Sequence, residues 1–72
     1  MNKARRKEIA NAIKKIEKIV SDILSDEEFS FSSIPENLQE SENGVASQNA
    51  QDNLSEAIDS LEYAIALMEE II

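Results

Sequence analysis

The sequence predicts an all-α protein: an antiparallel two-helix hairpin with a long, partly ordered connection, dimerising into a four-helix bundle. Three observations predict it. Two segments carry apolar residues at alternating spacings of three and four, the repeat of a coiled-coil seam. The stretch between them holds the only Pro and the only Gly. Finally, 72 residues without Cys or His leave neither a disulfide nor an ordinary zinc site to hold a small core, so self-association is the remaining support.

The first helix is expected from about residue 2 to about residue 26. Ile9, Ile13, Ile16, Val20 and Ile23 are spaced four, three, four, three, and Ala12, Ile19 and Leu24 widen the stripe. The second is expected over about 47–71. There Leu54, Ile58, Leu61, Ile65, Met68 and Ile72 form the seam, with Ala57, Ala64 and Ile71 beside it. These ten seam residues, Ile9 to Ile23 and Leu54 to Met68, are the predicted core of hairpin and dimer. Ser41 or Ser47 could cap the second helix, whereas Gly44 should weaken any helix that runs through it.

The connection, about 27–46, contains Phe29, Phe31, Ile34 and Leu38. Pro35 restricts Ile34 to extended conformations, and Pro-Glu-Asn-Leu-Gln can form one helical turn. Asn43-Gly44 reads as a turn. Two Phe in so polar a segment predict that it folds over the open end of the helices as an apolar cap.

Charge is divided along the chain. Residues 1–18 hold all seven basic groups against Glu8 and Glu17, a net of +5, while residues 19–72 hold thirteen carboxylates and no base, giving −8 for the whole. In an antiparallel hairpin the basic start lies beside the acidic end. Lys3, Arg5 and Arg6 should then face Glu69, Glu70 and the C-terminal carboxylate, relieving two unfavourable helix-dipole placements. Lys7, Lys14, Lys15 and Lys18 form a basic stripe on the solvent side, with Lys14 to Lys18 out of reach of Glu69 and Glu70. That stripe either solubilises the helix or meets an acidic partner such as the second helix of another copy.

The chemistry needed by most enzymes is missing. Without His or Cys there is no ordinary general base, thiol nucleophile or soft metal ligand. Serines have no His to activate them, and one Gly cannot build a phosphate loop. Asp52, Glu56, Asp59 and Glu62 have helical spacing but read as a solvated face. No enzyme activity, cofactor or metal is expected. No stretch is apolar enough to span a membrane, and no signal peptide follows the basic start. The expected location is cytoplasmic.

The opening "MNKARRKEI", the central "IPENLQES" and the closing repeats "LSEAIDS" and "LEYAIAL" resemble small acidic helical proteins encoded by phages and prophages of Gram-positive bacteria. The resemblance covers nearly the whole chain. It implies context, a bacterial host cell, since that family is largely without assigned function; small acidic phage proteins often bind and block host machinery, including nucleases of bacterial immunity. It brings no catalytic residues.

The expected function is therefore a protein-binding module, an inhibitor of a host defence protein. Glu40, Glu42, Asp52, Glu56 and Asp59 would enter a basic nucleic-acid groove, and Tyr63 and Leu67 would supply an apolar anchor. The expected partners are the chain itself, as a homodimer, and a host protein that can bind nucleic acid. Two alternatives remain: a nucleic-acid-binding accessory protein using Arg5, Arg6, Lys14, Lys15 and Lys18, disfavoured by the net charge, and a structural assembly protein.

Overall fold

The computed structural model describes residues 3–72. Two long helices, α1 (Lys3–Ser32) and α2 (Glu42–Ile71), are joined by a connection containing one 3-10 turn, Glu36–Leu38. The helices pack antiparallel: the Arg6 guanidinium at one end donates to the Ile71 carbonyl (2.8 Å), and at the other end Ser47 donates to the Glu27 carboxylate (2.8 Å). The result is a rod of 55 × 14 × 12 Å.

Both helices are longer than the sequence predicts. The expected start at Asn2 falls outside the described residues; the expected end at Asp26 is passed by six residues. The reason is that the helical repeat continues through Glu27, Phe31 and Ile34, all half-buried. α1 ends only where Pro35 follows, which lacks an N–H and restricts the residue before it. There Ser32 and Ser33 both donate to the Phe29 carbonyl (2.8 and 3.1 Å) and the Gln39 amide donates to Ile34 (3.1 Å), satisfying carbonyls freed by the helix end.

The connection shrinks to residues 33–41, where the N–H groups of Ser33, Ile34, Leu38, Gln39 and Ser41 all donate to nearby carbonyls. The turn begun by Pro35 forms as expected, with Leu38 N–H donating to the Pro35 carbonyl (2.8 Å). Ser41, one of the two expected caps, accepts from Gly44 N–H (3.5 Å) and starts α2 five residues before its predicted onset. Ser47 is instead a buried interhelical donor.

Asn43-Gly44 lies inside the first turn of α2 and is not a separate turn. Gly44 has no positive φ, so conformational freedom is not its contribution. It is buried against the Gln39 backbone, where a Cβ would overlap the carbonyl. The apolar cap forms only in part: Phe31 and Ile34 are half-buried, but Phe29 is 74% exposed and Leu38 points largely outward.

The α2 seam is as predicted, with Leu54, Ile58, Leu61, Ile65, Met68 and Ile72 all buried or half-buried. The α1 seam is rotated. Its inward positions are Arg6, Ala10, Ile13, Glu17, Val20, Leu24, Glu27 and Phe31, spaced four and three in alternation. Of the five predicted α1 seam residues only Ile13 and Val20 face α2; Ile9, Ile16 and Ile23 are exposed. The polar Glu27 earns its inward place through Ser47. The resulting seam is thin, since the buried apolar residues are Ala10 and Ile65 and no large side chain is fully buried among the described residues. The Gln51 side-chain nitrogen is also enclosed there with no hydrogen-bond partner.

Candidate interaction faces

Rotation of the α1 seam leaves a second, complete heptad row on its outside: Ile9, Ala12, Ile16, Ile19 and Ile23, spaced three, four, three, four. The four isoleucines are 39%, 50%, 53% and 48% exposed. This row contains no polar residue, whereas the inward row contains Arg6, Glu17 and Glu27. The more apolar stripe of α1 is thus turned to solvent, which exposed side chains of this size rarely do in a contiguous row without an occupant. Two shallow hollows lie along it, one lined by Arg5, Glu8, Ile9 and Ala12, the other by Glu8, Asn11, Ala12, Lys15 and Ile16. Both are lined by Glu8 and by Ala12, whose small side chain leaves the row low there.

The two edges of the hairpin differ. One edge carries charge: Lys14 pairs with Glu69 (3.7 Å), and Glu17 faces Glu62. The Lys14–Glu69 contact corrects the expectation that Glu69 cannot reach the basic stripe. The rotated seam brings Lys14 to the flank beside α2, and two long side chains reach along the rod to meet there. At the basic end, Arg6 caps the terminal carbonyls of α2 rather than meeting a carboxylate, and Arg5 pairs within its own helix with Glu8 (3.6 Å). Both ions of the Lys14–Glu69 pair are more than half exposed, so it is worth at most about 1 kcal/mol. Lys18 likewise faces Asp22 one turn on (3.4 Å); Lys7 and Lys15 are exposed.

The opposite edge is apolar on both helices. It carries the outer row of α1 and, on α2, Ala57, Ala64 and Ile71, which recur every seven residues on the side of the seam away from Glu62 and Glu69. Helix geometry puts the outer row roughly 100° around α1 from the inward row. Within the inward row, Ile13 and Val20 lie on the side nearer the outer row.

Glu17 and Glu62 have a chemical consequence. The Glu62 carboxyl is held above its ordinary range, first by a hydrogen bond with Glu17, then by that group's charge, by desolvation and by the charge of Asp59. A carboxyl raised on folding favours the folded chain when it is protonated. Its contribution is present below the ordinary carboxylate range and is lost as pH rises through the elevated value. Glu62→Gln should therefore raise the thermal midpoint at neutral pH and change it little at mildly acidic pH, relative to wild type in the same buffer. Melting curves at the two pH values check this; an equal shift at both would exclude the repulsion as the cause.

All five predicted acidic partner residues are exposed. The helix brings Asp52, Glu56 and Asp59 into one ridge with Tyr63 and Leu67, opposite the seam, Tyr63 being 69% and Leu67 46% exposed. Glu42 lies about 15 Å from Asp52 along the axis, and Glu40 lies in the connection, so these two do not join the ridge. Sequence reasoning missed the outward direction of Ile9, Ile16 and Ile23, although the second spacing was present in the row that runs through Ala12 and Ile19.

Among the described residues no cluster of three or more carboxylates is placed to share a metal ion, and no helix is long and apolar enough to cross a membrane. The chain matches no protein-family model, no curated protein and no solved structure.

Proposed function

We propose that this chain is a protein-binding module, a rod that works through its sides: one apolar edge for self-association and an acidic ridge for a basic surface on another protein. The observation that carries the reading is the exposed row Ile9–Ala12–Ile16–Ile19–Ile23, which is more apolar than the row that α1 turns toward α2. A homodimer with a four-helix core follows, because pairing two such edges removes the row from water. Fully burying an exposed isoleucine side chain is worth about 1.5–3 kcal/mol; these four are already about half covered, so each adds about 1 kcal/mol, and together they exceed what the exposed ion pairs contribute.

The ridge of Asp52, Glu56, Asp59, Tyr63 and Leu67 gives the second contact its chemistry: carboxylates for lysines and arginines, with an aromatic and an aliphatic anchor. Taken with the resemblance to phage-encoded proteins, the concrete form is an inhibitor occupying a basic groove of a bacterial defence protein. The ridge carboxylates come once per about 5 Å of axis, against about 3.4 Å for phosphates along one nucleic-acid strand. The match is therefore to a basic protein surface in charge and anchor, not in phosphate spacing. The alternative nucleic-acid reading has less support, because four of its five residues, Arg5, Arg6, Lys14 and Lys18, already face an acceptor of the same chain.

Affinity capture from a Gram-positive bacterial lysate at low salt tests the proposal. A specific protein should be retained by the wild-type chain, released by added salt, and lost when Asp52 and Asp59 are changed to Lys or Tyr63 to Ala. Capture indifferent to all three variants, or no capture at low salt, would reject the ridge as a binding face.

A further inference from the structure

We infer that the apolar edge is closed by a second copy of the chain in one particular register: α1 packs against α1 of the other copy, antiparallel, about a two-fold axis level with Glu17 and Lys18. The inference rests on the self-association proposed above and specifies its geometry.

Area argues for an occupant of this size. A compact monomer of 8.0 kDa exposes about 4,450 Å², but this rod exposes 5397 Å². The excess, about 950 Å², is close to the roughly 800 Å² that each partner gives to a standard interface. The radius of gyration points the same way, 16.4 Å against about 11 Å for a compact domain of this length.

Charge selects a second copy and fixes its register. In an antiparallel pair the outer row interlocks with itself in steps of one heptad. One register sets Ile16 against Ala12 of the second copy. It shortens the overlap by two turns, brings the two Lys15 side chains together and puts Glu8 opposite Asp22 twice. The next register sets Ile16 against Ile19 and Ala12 against Ile23 of the second copy. There Lys15 faces Asp22 of the second copy on both sides of the axis, and Ile13 meets Val20 at the inner edge.

This second register overlaps all thirty residues of α1, because its axis crosses the midpoint of Lys3–Ser32. It also sets the single Ile23 of the other copy over Ala12, the small residue that lines both hollows. Ala57, Ala64 and Ile71, on the same edge of α2, then line the bundle core. Asp22 keeps its contact with Lys18 of its own helix, which is present with or without the second copy.

Sedimentation of the full chain at micromolar concentrations tests the inference. Wild type should be a dimer. Lys15→Asp sets like charges against each other at two symmetric contacts and should weaken dimerisation roughly tenfold or more, at about 0.2–1 kcal/mol for each exposed pair gained or lost. Asp22→Lys should do the same, and the double variant Lys15→Asp/Asp22→Lys should return to within a few-fold of wild type. Ile16→Glu/Ile19→Glu should be monomeric with its helical circular dichroism kept.

If wild type dimerises but the charge swap does not restore it, or the single changes have no effect, the register is wrong while self-association stands. A dimer that survives Ile16→Glu/Ile19→Glu places the interface elsewhere. A wild-type chain that stays monomeric overturns self-association itself.

Discussion

Ile65→Ala should destabilise the chain by about 3 kcal/mol, within the range for truncating a buried aliphatic side chain. Ile65 is the largest of the few residues that α1 and α2 bury together, with 9% of its surface left exposed, and Ala10 and Ser47, which are more buried, have less apolar side chain to lose. Removing Ile65 leaves a void in a thin seam, within two turns of the end of α2, where few other buried groups can make up the loss. A 72-residue domain has only a few kcal/mol of net stability. The variant should therefore be largely unfolded at a urea concentration where wild type is folded. Urea titration followed by far-ultraviolet circular dichroism gives the number; a loss below about 1 kcal/mol, the level of an ordinary surface change, would mean that Ile65 is not a main support of the seam.

Gly44→Ala should cost about as much, near 3 kcal/mol, at the upper end for forcing extra volume into a packed site. The sign carries the information. Helix propensity favours Ala over Gly by about 1 kcal/mol, so an α2 free at its start would gain from the change. Here a Cβ would meet the carbonyl carbon and oxygen of Gln39. The obstruction is backbone, fixed by the 3-10 turn and by the Gln39 amide bonded to Ile34. Relief requires the connection to move away and Ser41 to lose its capping contact with Gly44 N–H. A midpoint equal to or above wild type in the same titration would show that the connection does not rest on α2.

Much of this architecture was legible. Leu54 to Ile72 form a single apolar phase, so only one face of α2 can turn inward. α1 was ambiguous because its apolar residues occupy two overlapping phases. Ranked by apolar content alone, Ile9, Ile16 and Ile23 precede Ala10, Glu17 and Leu24, and the sequence reading follows that rank. The chosen face depends on what α2 offers across the seam, notably the Ser47 hydroxyl for Glu27, and such a contact twenty residues away leaves no periodic trace.

The helix ends were misplaced for a related reason. Gly44 reads as a breaker until the nearness of Gln39 is known, and Phe31 reads as loop until α1 is seen to continue under it. Among the candidate site residues, Asp52, Glu56, Asp59, Tyr63 and Leu67 follow from helical spacing. Lys14 with Glu69 does not, since their meeting depends on the rotation and axial offset of two helices.

The Ser33–Ser41 connection also sets an order of events. It is the cheapest loop in the chain to close, and every later interhelical contact lies one step farther from it, out to Arg6 and Ile71. Assembly should run like a zipper from the Phe31 end, and the reverse process should begin by fraying at the two termini. Amide exchange is therefore expected to be slowest near Leu24 and Leu54 and fastest toward Arg6 and Met68, a gradient laid down by topology alone.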